Sequence, residues 1–165
     1  EISPYILFYI RRNNFMNILN EETIKILKDI RNYIKDHYPY SCIAHNQEKE
    51  GEELLEECSD FFKYEILGFC GCGMNSLCVE SVVNYLSIVK VQCELNFKTE
   101  KLYQEKFGIN DVYSNGLILY MAYDLDDREL TEHGSNISGA WLTTLGDICL
   151  YVFDLLLKEE INGEG

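Results

Sequence analysis

The sequence predicts an all-α fold: a mostly helical single domain of about six helices, with a short hairpin or loop near residues 130–142. Apolar residues recur at helical spacing in six segments, cap and stop residues bound those segments, and only two prolines interrupt 165 residues. Hydrophobic residues make up 47% of the chain and charged residues 25%, the balance of a globular domain that folds without a metal or disulfide staple. The longest apolar runs, such as Gly116 to Ala122, fall far short of the roughly 20 residues that a membrane-crossing helix needs.

The first helix starts at Asn20, a good N-cap, with Glu21 and Glu22 in a first turn whose dipole favours acid. Ile24, Leu27, Ile30 and Ile34 form its stripe, and it stops before Pro39. Residues 1–19 read as an N-terminal extension. Its start is expected at Met16, with residues 1–15 upstream of the native beginning. Pro39 to Gly51 reads as a loop. Leu54, Leu55, Cys58, Phe61, Phe62 and Ile66 then follow the spacing of a buried helix face, ended by the glycines from Gly68 to Gly73.

A third helix runs from Met74 to Asn96, capped by Asn75 or Ser76, with Leu77, Cys78, Val82, Tyr85, Leu86, Val89 and Cys93 as its stripe. A fourth, Thr99 to Phe107, is capped by Thr99 and ended by Gly108. Asn110 or Asp111 opens the fifth, whose centre from Leu117 to Tyr123 is apolar on nearly every face and is expected to be buried. The Gly/Ser-rich stretch Glu129 to Leu142 gives the loop or hairpin. Thr143 or Thr144 caps the last helix, which runs to about Glu160, and residues 161–165 read as a flexible tail. The helical domain thus spans residues 20–160.

The segment Leu130-Thr131-Glu132-His133-Gly134-Ser135, followed by Gly139-Ala140-Trp141-Leu142-Thr143 and Gly146, resembles the carboxy-terminal signature of small uncharacterised proteins of phages and prophages of Gram-positive bacteria. The Cys70-Gly71-Cys72-Gly73 turn fits the same pattern, whereas Thr144-Leu145 stands where that pattern has a charged pair. The resemblance implies a phage origin and a bacterial cytoplasmic location, and it brings no activity with it. The order of apolar helix, hairpin and Trp141-Leu142-Thr143-x-x-Gly146 also resembles the wing of winged-helix proteins, which would imply DNA binding. Electrostatics opposes that. From Phe107 to Leu157 the only basic residue is Arg128, and a DNA reader needs several cations beside its recognition helix.

Charge is the strongest functional signal. The chain has 28 acidic and 14 basic side chains, a formal net charge of −14, and residues 41–165 alone carry −15. Such a field repels phosphate backbones and anionic lipid and attracts basic surfaces. In the second helix Glu52, Glu53, Glu56, Glu57 and Asp60 fall on one face, with Glu48 and Glu50 just before them. Carboxylates one turn apart, at roughly 5.4 Å, approximate the phosphate spacing of a nucleic-acid strand, so this ridge suits a groove lined with Arg and Lys. A second acidic run is Asp124, Asp126, Asp127, Glu129 and Glu132. The ordinary alternative for both is a solvated helix face.

Other chemistries fit less well. Cys42 and His45 with Cys70 and Cys72 offer zinc-type ligands, yet Cys-x-Cys is tighter than the usual spacing; the seven cysteines (Cys42, Cys58, Cys70, Cys72, Cys78, Cys93 and Cys149) read as reduced thiols. The run from Asp124 to Glu132 does not match a calcium loop, and His133 and Ser135 are too close in sequence to define a triad. His133 is expected to cap the helix or close the turn. Gly68 to Gly73 lacks the lysine and the preceding strand of a phosphate loop.

The function expected is therefore a non-enzymatic, cofactor-free, phage-encoded inhibitor of a basic, nucleic-acid-handling host defence protein, anti-CRISPR-like and DNA-mimicking. It should bind neither nucleic acid nor membrane directly. The competing classes are a small Cys/His metal-binding or hydrolytic protein and a phage structural or regulatory subunit.

Overall fold

The structure is a computed structural model and describes residues 18–70, 77–95 and 99–164. The fold is mostly helical, with a single small two-stranded sheet among the described residues. The chain packs as two compact units. One holds described residues 18–70 and 151–164, the other described residues 77–95 and 99–150. No helix among the described residues is long and apolar enough to cross a membrane. The readings on Met16, Cys72, Asn75 and Ser76 lie outside the described residues.

In the unit of 18–70 and 151–164, α1 (Glu21–His37) begins as expected, the Asn20 side chain accepting from the Thr23 amide at 2.9 Å. The loop expected between Pro39 and Gly51 contains one further turn, α2 (Cys42–His45), because Ser41 caps it by accepting from the Ala44 amide. Gly51, at φ 59°, turns the chain into α3 (Glu52–Asp60), which continues as a π-helical stretch over Phe61–Ile66. Gly68, at φ 65°, follows it. Leu27, Ile34, Leu54, Leu55, Phe61 and Phe62 are fully buried, and Phe62 meets Phe153 edge to face at 6.2 Å.

In the unit of 77–150, α4 (Val79–Leu95) is preceded by Cys78, which is exposed rather than part of the apolar stripe. Its sulfur accepts from the Ser81 amide while Ser81 Oγ accepts from the Cys78 amide, a reciprocal cap. Cys93 is exposed as well, and its sulfur donates to the Ala140 carbonyl. The helix α5 (Glu100–Phe107) ends at Gly108 in the left-handed region, φ 67°, but Thr99 gives no side-chain cap. The next helix starts later than expected. Asp111 caps a 3-10 turn over Val112–Ser114, and Asn115 then caps α6 (Gly116–Asp127) by accepting from the Leu117 and Ile118 amides.

The expected hairpin is present as β1 (Thr131–Glu132) and β2 (Trp141–Leu142), antiparallel with Thr131 opposite Leu142 and Glu132 opposite Trp141. The chain leaves α6 through Glu129 at φ 67°. Glu129 donates to the Asp126 carbonyl and Leu130 to the Leu125 carbonyl, a Schellman closure. The last helix, α7 (Thr144–Glu164), runs beyond the expected end at Glu160. Asn162 and Gly163 disfavour a helix by about 1 kcal/mol or less each, which weakens it without stopping it.

The burial of α6 corrects the sequence reading. Met121, Ala122 and Leu125 are buried, but Leu117 is 73% exposed, Tyr120 58% and Tyr123 47%. A segment apolar at almost every position carries no periodicity from which its inner face can be read.

Candidate functional site

The acidic ridge divides into two populations. Glu48 and Glu50 lie exposed in the loop before α3, and Glu52, Glu53 and Glu56 are exposed on the helix itself. Their carboxylates carry the charge opposite to that of Arg and Lys side chains, and the helix dipole favours Glu52 and Glu53 in its first turn. Glu52 also meets Glu159 of α7. Burial raises the Glu159 carboxyl above its usual range, and a hydrogen bond with Glu52 adds to the shift.

Glu57 does not belong to the exposed ridge. Its Oε1 lies 2.7 Å from Arg31 Nε, with the two side chains only 9% and 6% exposed. Arg31 Nη2 also donates to the carbonyls of Ile43 at 3.2 Å and Asn46 at 2.9 Å. One guanidinium thus ties α1, α2 and α3 together, while Glu57 Oε2 is buried with no hydrogen-bond partner among the described residues. Asp60 is only partly exposed. Burial raises its carboxyl, with Lys63 opposing. The exposed carboxylates of the ridge are therefore Glu48, Glu50, Glu52, Glu53 and Glu56.

The second acidic run is spread among separate structural tasks. Asp124 Oδ2 pairs with Arg128 Nε at 3.0 Å. Asp126 Oδ2 lies 2.8 Å from His133 Nδ1 and accepts from Thr131 Oγ1 at 3.4 Å, so these residues close the turn between α6 and β1, one of the two roles expected of His133. Trp141 Nε1 donates to Glu132 Oε2 at 3.1 Å across the hairpin. Asp127 and Glu129 are exposed.

Cys42 and His45 are exposed at the two ends of α2, and Cys70 is held in a disulfide, which removes the thiolate that zinc would require. That bond also corrects the reduced-thiol reading for Cys70, whereas Cys42, Cys58, Cys78 and Cys149 are free thiols. Among the described residues no three His, Cys, Asp or Glu side chains group to hold a metal ion. Burial pushes the Cys58 thiol up to about 12, aided by Glu57 and opposed by Arg31, so it is protonated and unreactive at neutral pH.

Two features escaped the sequence reading. Arg31 sits on the apolar stripe of α1, one turn beyond Leu27, and that position was its signal. The other is a cleft of about 290 Å³ lined by Lys90, Cys93, Trp141, Leu142, Thr143, Thr144 and Asp147, bridged at its rim by Lys90 and Asp147 at 2.6 Å. Trp141 to Asp147 lie together in sequence, but no local pattern announces that Lys90 and Cys93 of α4 line the same cleft.

No family model matches the chain, and comparison with curated proteins and with solved structures gives no match either.

Proposed function

We propose that the chain is a non-enzymatic, phage-encoded protein of the bacterial cytoplasm. It inhibits a basic, nucleic-acid-handling host defence protein, with a CRISPR effector the favoured target, by occupying the groove that otherwise holds nucleic acid. The observation that carries this reading is the row of exposed carboxylates Glu48, Glu50, Glu52, Glu53 and Glu56, on a chain with a net charge of −14. The hairpin signature of residues 130–146 supports the phage origin. A carboxylate row attracts Arg and Lys side chains from a distance and speeds encounter, and it competes with phosphate for the same donors.

The test is competition. The immobilised chain captures its partner from lysate of a Gram-positive host, and the purified partner is then offered labelled duplex DNA with and without the chain. The expected result is displacement of the DNA in proportion to added chain, with no shift of DNA by the chain alone at physiological salt. A stable ternary complex of chain, partner and DNA would contradict the groove-occupying reading.

A further inference from the structure

The exposed face of α6 has a chemistry distinct from that of the ridge. Gly116, Tyr120, Tyr123 and Asp127 follow one another at helical spacing on this face, with Leu117 and Asp124 along its flank, while Met121, Ala122 and Leu125 are buried. Isolated exposed aromatics are ordinary, whereas here two tyrosines and a leucine are grouped on one helix face. Tyr123 is also braced. The His133 ring stands edge to face against it at 6.1 Å and 86°, and His133 is itself held by Asp126 at 2.8 Å. A ring fixed in this way gives contact area at little entropic cost.

Charge selects the occupant. Between Phe107 and Leu157 there are eight acidic residues and one basic, and that one, Arg128, is paired with Asp124 beside the tyrosines. A second copy of the chain would bring Asp127 and its neighbours against themselves, and an anionic lipid or nucleic acid would be repelled. A cation meets attraction, and tyrosine faces distinguish between cations: the planar, weakly hydrated guanidinium stacks on them better than the compact, strongly hydrated ammonium.

We infer that Leu117, Tyr120, Tyr123 and Asp127 form a docking surface for an arginine-bearing segment of the basic partner. The tyrosines stack on guanidinium groups, Leu117 covers an arginine stem, and Asp127 supplies a carboxylate. This inference rests on the reading of the chain as a binder of basic proteins, and it names a second contact chemistry for that partner.

The test uses the full chain and two end-blocked peptides of equal length and charge, one of Arg-Gly repeats and one of Lys-Gly repeats, with affinities measured by calorimetry. The Arg peptide is expected to bind about threefold to fivefold more tightly than the Lys peptide. Tyr120→Ala and Tyr123→Ala should each remove most of that preference, and Tyr120→Phe should keep it. Thermal melts check that each variant stays folded. Substituting Glu53 and Glu56 by glutamine should weaken both peptides alike and leave their ratio unchanged, so failure of the ridge and failure of the α6 surface read out separately. Equal affinity for the two peptides overturns the inference, as does an unchanged preference in Tyr120→Ala. Concentration-dependent dimerisation abolished by Tyr120→Asp also overturns it, because the face would then be a contact between copies.

Discussion

Gly146→Ala is expected to destabilise the fold by more than about 3 kcal/mol, the range of a severe steric substitution. A Cβ at this position would lie 1.8 Å from the Leu130 carbonyl oxygen and 2.8 Å from its carbon. Both are backbone atoms, so no side-chain rotation relieves the clash. The contact is close because the start of α7 is fastened to the end of α6 and the start of the hairpin. The Thr143 amide donates to the Leu130 carbonyl at 3.2 Å, Thr143 Oγ1 donates to the Glu129 carbonyl at 2.5 Å, and the same oxygen accepts from the Gly146 amide at 3.0 Å. The Trp-Leu-Thr-x-x-Gly pattern therefore has a structural reason that concerns no ligand: Thr143 caps the helix and Gly146 admits the Leu130 backbone. Denaturant melts measure the loss. Gly134→Ala and Gly139→Ala serve as controls, because a Cβ at either meets nothing within 4 Å, and each should change stability by less than about 1 kcal/mol.

The second large effect is expected at Arg31. Arg31→Met keeps an unbranched chain in the apolar stripe of α1 but strands the Glu57 carboxylate, which is already 9% exposed and has one unpartnered oxygen. Removing one member of a buried ion pair costs roughly 3–5 kcal/mol, and replacing both members by apolar residues is often neutral or better. Arg31→Met should therefore lose about that much in chemical denaturation, and adding Glu57→Leu should recover most of it. The carbonyls of Ile43 and Asn46, left without the guanidinium, account for what the double variant does not regain. Equal stability of Arg31→Met and the parent would show that Glu57 gains solvent at little cost, and would return it to the accessible ridge.

These two sites show what the sequence carried and what it did not. The caps at Asn20 and the stop at Gly108 were readable because local hydrogen bonding and left-handed geometry select those residue types. Apolar spacing places Leu54, Leu55, Phe61 and Phe62 in the core because the helical period gathers them on one face. The turn at Cys42–His45 was missed because a one-turn helix has no period, and only Ser41 announced it. Glu57 was misassigned because it lies at the border of the acidic face, and its fate was decided by Arg31, which comes 26 residues earlier in the chain. At Leu117, Tyr120 and Tyr123 hydrophobicity is the only sequence signal and points to the core, whereas the packing partners that choose a helix's inner face come from elsewhere in the chain.

If exposed carboxylates before and on α3 hold a basic partner, the dissociation constant of the captured partner should change in the variant Glu50→Gln, Glu53→Gln, Glu56→Gln. None of the three is a member of an ion pair described above, and glutamine matches glutamate in size and helix propensity, so the variant should fold as the parent does. At low salt the variant is expected to bind at least about tenfold more weakly, at roughly 1 kcal/mol for each charge lost, and the gap should narrow as salt screens the parent. Identical dissociation constants for parent and variant at both low and high salt would make the ridge a solvated helix face that holds no partner.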